Sequence, residues 1–157
     1  MASTPLLFLD VDGPLIPFGA AYPVAADGDS NPLLARLNSG HGPRLVALHC
    51  ELVWATTWMD EANDSVAPRL GLPKLPVATW LEPSKEDEWL GLHWKTRGLV
   101  AWAAGRPFAW VDDEITSGDR EWVAANHGGE ALLHRVDARI GLTDGDFDVL
   151  DEWLRTR

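Results

Sequence analysis

The sequence predicts an α/β protein: a three-layer sandwich in which helices cover both faces of a parallel, five-stranded sheet. Short apolar runs alternate with helix-length segments, the pattern of successive βαβ units with right-handed crossovers. The first run, Leu6-Leu7-Phe8-Leu9, is apolar at every position rather than every second one, as in a strand buried on both faces. Three of the runs end on polar residues capable of chemistry, at the sheet edge where open α/β folds bind ligands. The 157 residues form one domain, large enough to bury a core.

Each element has its own signal. Residues 1–4 are a tail and residues 5–10 the first strand. Residues 13–31 hold Pro14, Pro17, Pro23 and Gly28 among Ala and Asp, a density that forbids a regular element, so this is a loop folded near the strand end. Residues 33–37 read as an extended piece. Ser39 caps a short helix over 41–49, with Leu45 and Leu48 on one face. Residues 51–56 are the second strand, followed by a helix over 59–70 that stops at Gly71 and Pro73. Residues 75–80 are the third strand, and the charged stretch 81–92 a solvated loop. A helix over 93–104 ends at Gly105 and Pro107. Residues 108–111 are the fourth strand, 117–126 a helix, and 130–136 a fifth strand. The closing helix, 143–155, places Phe147, Leu150 and Leu154 toward the core.

Composition narrows the function. The net charge of −11 disfavours broad contact with a nucleic-acid backbone or an anionic membrane, both of which need clustered Lys and Arg. A local basic site around Lys95 and Arg97 remains open. The one cysteine, Cys50, has no partner for an internal disulfide and reads as a small buried apolar residue. No apolar run reaches transmembrane length. Cleavage of a leader peptide would remove Asp10, so a cytoplasmic location is expected.

The chemistry starts at Asp10-Val11-Asp12-Gly13. Period-2 geometry puts Asp10 and Asp12 on one side of the extended chain, and two such carboxylates repel unless a cation or a proton intervenes. Gly13 lets the chain turn away. Thr56 closes Leu52-Val53-Trp54-Ala55, Lys95 lies on a helix in His93-Trp94-Lys95-Thr96-Arg97, and Asp112-Asp113 close Phe108-Ala109-Trp110-Val111. These four motifs, in this order, resemble those of the haloacid-dehalogenase-like (HAD) superfamily over nearly the whole chain.

The resemblance implies a Rossmann-like sheet of strand order 5-4-1-2-3 and a phosphatase that transfers a phosphoryl group to an aspartate and then to water. It makes Asp10 the nucleophile and Asp12 the general acid/base, with the Asp12 backbone carbonyl a metal ligand. The second aspartate is a phosphatase feature and argues against dehalogenation. Thr56 would bind the phosphoryl group, with Thr57 the alternative or the cap of the next helix. Lys95 would hold the phosphate and screen Asp10. The cofactor implied is Mg²⁺, held by Asp10, Asp12 and Asp113, with Asp112 orienting Lys95 or a metal-bound water; which of the two adjacent aspartates ligates directly stays open. Glu114 reads as helix-dipole decoration. The five histidines show no metal spacing. Trp54, Trp58, Trp94, Trp102, Trp110 and Trp153 read mostly as core, although Trp58 and Trp94 flank motif residues.

Pro14 follows Gly13 where many relatives carry Thr or Val. No stretch is long enough for a large cap domain, so the site opens to solvent and the substrate is a phosphorylated small molecule or a macromolecular end. Small capless relatives include 3′-phosphatase domains of nucleic-acid repair proteins, which Trp54-Ala55-Thr56-Thr57-Trp58 resembles. A basic stripe of Arg97 and Arg44 converging on Lys95 would favour a nucleic-acid end, and a uniformly acidic rim would oppose it. The rival from another class is a non-catalytic binding domain that keeps the fold.

Overall fold

The computed structural model describes residues 4–18, 32–80 and 85–157. Along the chain these form β1 (Leu6–Leu9), a 3₁₀ helix (Pro32–Arg36), α1 (His41–Val46), β2 (Glu51–Trp54), a π-helix (Ala62–Val66) running into α2 (Ala67–Leu70), α3 (Lys85–Trp89), α4 (Thr96–Ala103), β3 (Phe108–Asp112), α5 (Ser117–Asn126), β4 (Ala131–Arg135) and α6 (Asp144–Arg155). The sheet runs β2-β1-β3-β4 and every pairing is parallel. Leu6 stands in register with Glu51 on one side and Phe108 on the other, so β1 is central.

The apolar runs explain the layers. All four residues of β1 and all five of β3 are buried. Alternate residues point to opposite faces. Leu7 and Leu9 join a cluster with Leu45 of α1, Leu70 of α2 and Phe147, Leu150 and Leu154 of α6. Leu6 and Phe8 join a second cluster with Leu99 and Ala103 of α4 and Val123 of α5. The sheet therefore lies between two helical layers, and its carboxyl edge carries Asp10, Ala55 and Asp112 side by side. α5 and α6 each open on a reciprocal capping box, Thr116 with Asp119 and Thr143 with Asp146. Among the described residues, no helix is long and apolar enough to cross a membrane.

Several expectations are corrected. Four strands form among the described residues, not five. The segment 75–80 does lie beside β2, but through a single bridge, Trp54 to Val77. Pro73 and Pro76 lack an N–H, and Asn63 takes the ladder positions of Leu75: the Leu75 N–H donates to Asn63 Oδ1 at 2.8 Å, and Asn63 Nδ2 donates to the Leu75 carbonyl at 2.9 Å. The piece expected to be extended at 33–37 is instead 3₁₀-helical, with Pro32 supplying a pre-set φ at its start. α1 ends at Val46, and its N-cap is Gly40 with no side-chain cap, so Ser39 does not serve. The helix expected from residue 59 begins as a π-helix, because Pro68 offers no N–H to continue an α-helical ladder. The charged stretch expected to be a loop contains α3, whose Asp87 is buried and ion-paired with Arg97; residues 81–84 of that stretch, and 19–31 of the first loop, lie outside the described residues.

Candidate active site

The site is built where β1 and β3 end next to the start of α4. Asp10 follows β1 directly and is buried; its Oδ1 accepts from the Val11 N–H at 2.8 Å. Lys95 lies at the N-cap of α4 and is only 2% exposed. Its Nζ sits 3.2 Å from Asp10 Oδ1 and donates to Asp112 Oδ2 at 2.8 Å, so one ammonium bridges the ends of two neighbouring strands. The other Asp112 oxygen accepts from the Glu114 N–H at 3.0 Å.

Three carboxylates cluster here, two of them paired with this one ammonium. Ligand oxygens of Asp10, Asp112 and Asp113 all lie within 4.8 Å of one another. Burial pushes Asp10 up to about 8, and the charge of Asp112 adds to this against the opposing pull of Lys95. Burial, a hydrogen bond with Asp112 and the Asp112 charge push Asp113 up to about 6. Burial alone would lower Lys95, but Asp10 and Asp112 together raise it above its ordinary value. The cluster thus has an excess of negative charge that a proton or a cation relieves. A hard divalent ion fits the donor set: all donors are oxygens, and ligands bound at about 2.1 Å in an octahedron lie up to about 4.2 Å apart.

Asp12 leaves the strand on the open side, where its Oδ2 accepts from Trp58 Nε1 at 3.2 Å. Gly13 has φ of +100°, and a Cβ there would lie 2.8 Å from Asp113 Cγ. Only glycine lets the Asp12 loop pass this close to Asp113. A cavity of about 110 Å³ opens over the group, and Asp10, Asp12, Thr57, Trp94, Lys95 and Asp113 are among the residues that line it. At about 30 Å³ per water molecule this is room for a group the size of phosphate.

Thr56 does not line this cavity. It is fully buried and its hydroxyl accepts from the Trp58 N–H at 3.2 Å. Thr57 lines the cavity instead, and the helix beyond starts too late for Thr57 to cap it. Arg97 and Arg44 do not converge on Lys95; they pair with Asp87 and Asp144. Trp58 and Trp94, read mostly as core, both reach the site. Two further neighbours were not singled out by the sequence. His93 stacks on Trp94, accepts from the Lys95 N–H through Nδ1 at 3.1 Å, and so carries its proton on Nε2, 3.1 Å from Glu114. Asp119 is fully buried and holds the segment before Lys95: its Oδ1 accepts from the His93 N–H and from Thr96 Oγ1, both at 2.7 Å. For His93 the sequence signal was proximity to Lys95, and for Asp119 it was the capping pattern Thr116-Ser117-Gly118-Asp119.

A family model described as the HAD domain in Swiss Army Knife RNA repair proteins matches residues 6–147. The chain belongs to this family. All four β-strands, the carboxylate cluster and the helices as far as α5 fall within the matched span, which ends inside α6, and the domain is a HAD-like hydrolase with a Rossmann-like parallel sheet. No curated protein and no solved structure matches the chain.

Proposed function

We propose that this domain removes a terminal phosphate from an RNA strand, as a Mg²⁺-dependent phosphomonoesterase working through an aspartyl-phosphate on Asp10. One observation carries the reading: Asp10, paired with the Lys95 ammonium at 3.2 Å, and Asp12, two residues on, open into the same phosphate-sized cavity. The RNA end is supported by the description of the matching family. The net charge of −11 confines any grip on RNA to local contacts.

In this reading Asp10 attacks phosphorus. The bond from phosphorus to the leaving oxygen breaks, and Asp12 protonates that oxygen. Asp12 then takes a proton from water, which attacks the phosphoryl group on Asp10 and regenerates the carboxylate. Lys95 holds the phosphoryl oxygens and screens the charge of Asp10. Asp112, bonded to Lys95, orients it. Thr57 takes the phosphoryl-binding role expected of Thr56, because its side chain lines the cavity while Thr56 is committed to the Trp58 N–H. Asp10 and Asp113, with the Asp12 backbone carbonyl, would hold Mg²⁺. When bound, the ion cancels the repulsion between a carboxylate and a dianionic phosphate.

The test is phosphate release from 3′- and 5′-phosphorylated RNA oligonucleotides, with and without Mg²⁺, in the wild type and in Asp10→Asn. Mg²⁺-dependent release from the 3′ end that vanishes in the variant is expected. Release that survives in Asp10→Asn would refute the nucleophile. No release from either end would refute the substrate.

A further inference from the structure

The carboxylates of the site are not all held in the same way. Asp10 is fixed by the Val11 N–H and the Lys95 ammonium, and Asp112 by that ammonium and the Glu114 N–H. Asp12 differs. Among the described residues, one group donates to its carboxylate: the Trp58 indole, 3.2 Å from Nε1 to Oδ2. The backbone at this point is fixed separately, by a bridge from Asp12 to Ile16 and by the Gly13 N–H, which donates to the Ile16 carbonyl at 3.0 Å. An aspartate on a fixed backbone still turns about χ1 and χ2. The indole contact selects one setting of the two.

The indole is itself fastened. Trp58 is half-buried and packs against the apolar cluster that β1 shares with α1, α2 and α6. Its N–H donates to Thr56 Oγ1 at 3.2 Å, and its carbonyl accepts from the Glu61 N–H at 3.1 Å. The next residue, Met59, has φ of +51°, in the left-handed region that a side chain rarely adopts. Backbone of this kind persists where the surroundings over-determine it. Thr56, fully buried and away from the cavity, thus serves to orient Trp58. Trp58 does not line the cavity, whereas Asp12 does, so the indole meets the site through Asp12 alone.

An indole suits this place chemically. Its N–H is a donor only, so it cannot accept the proton that Asp12 handles. It can occupy Oδ2 whether Asp12 is charged or neutral, and it leaves Oδ1 as the oxygen that carries the proton. We infer that Trp58 is a positioning residue for proton transfer, holding Asp12 so that Oδ1 faces the leaving oxygen. This rests on the phosphatase reading above, and the experiment separates the two. In the step concerned, the bond from Asp10 to phosphorus forms, the bond from phosphorus to the leaving oxygen breaks, and the proton on Asp12 Oδ1 passes to that oxygen.

Trp58→Phe removes the N–H and keeps the aromatic bulk. The quantity to measure is kcat/KM, with Mg²⁺ present, for 2,4-dinitrophenyl, p-nitrophenyl and phenyl phosphate, whose leaving oxygens are progressively more basic. A misplaced general acid matters most where the leaving oxygen most needs a proton. The variant is therefore expected to lose less than about twofold on the first ester and about tenfold on the last. On 3′-phosphorylated RNA, whose leaving group is an alcohol, the loss of about tenfold should fall on kcat and leave KM within about twofold. Equal losses on all esters, the mark of a fold defect, overturn the proposal, as does no loss or a loss carried by KM. A second readout needs no turnover. In ¹H–¹⁵N spectra, the indole signal that vanishes in Trp58→Phe should shift in Asp12→Ala; a signal that stays in place overturns the proposal while the phosphatase reading stands. A wild type inactive on all four esters removes both.

Discussion

Asp119 offers the sharpest test of how the Lys95 segment is held. Its carboxylate is fully buried and accepts four hydrogen bonds: from the His93 N–H and Thr96 Oγ1 at 2.7 Å, and from the Thr116 N–H and hydroxyl at 2.8 and 3.0 Å. Asp119→Ala removes all four. The Thr116 pair belongs to the α5 capping box, and loss of a cap costs about 1 kcal/mol. The His93 N–H and the Thr96 hydroxyl lie deeper, and a buried donor left unpaired costs about 1–3 kcal/mol. Relief of the buried charge offsets part of this, which leaves a net loss of about 3 kcal/mol. For a domain of this size that lowers Tm by about 6–12 °C. Asp146→Ala is the internal control. It breaks the equivalent box of α6 at a partly exposed position, together with the His134 contact, and a smaller loss of about 1–2 kcal/mol is expected. Urea unfolding followed by circular dichroism measures both variants side by side. Equal losses in the two, or a loss under about 1 kcal/mol for Asp119→Ala, would refute the argument that burial makes Asp119 the tie between α5 and Lys95.

Three further outcomes are expected. Gly13→Ala places a Cβ 2.8 Å from Asp113 Cγ at a φ of +100°; it should destabilise by about 1–3 kcal/mol and weaken Mg²⁺ affinity, read by melting with and without the ion. Burial pushes the Cys50 thiol up to about 12, so a disulfide-exchange reagent at pH 7 should label the native protein about a thousandfold more slowly than the urea-unfolded chain; comparable rates would contradict the burial. At Asp146 burial alone would raise the carboxyl, but the hydrogen bonds from His134 and from the N–H and hydroxyl of Thr143 outweigh it and hold the group below its ordinary range. Its folded value is depressed, so its stabilisation is present above about pH 3.9 and fades as pH falls through the folded value. The stability gap between wild type and Asp146→Asn, measured by urea titration from pH 6 to pH 2, should therefore narrow toward acid.

Legibility from sequence tracked the range of the interactions involved. β1, β2 and β3 were readable because runs such as Phe108-Ala109-Trp110-Val111 need burial on both sides whatever covers them. α5 and α6 were readable because capping and apolar spacing act within a few residues. Asp10, Lys95, Asp112 and Asp113 stood out because charged residues next to apolar runs have to be accounted for, and the structure brings them together. The segment at 75–80 was misread because the side chain that displaces its ladder, Asn63, lies twelve residues away on a different element.

By itself, the sequence determined the fold class and the identity of the acidic and basic groups at the sheet's carboxyl edge, since these follow from local pattern and from the cost of burying charge without a partner, whereas the central place of the first strand came from the family resemblance. Tertiary structure alone decided which groups face the cavity. Thr57 rather than Thr56 lines the cavity, Trp58 reaches Asp12 and Asp119 secures the approach to Lys95. Arg135 meets Asp113 from the neighbouring strand. These assignments depend on side-chain direction and on contacts between residues far apart in the chain, such as the 46 positions from Asp12 to Trp58, and no local pattern encodes them.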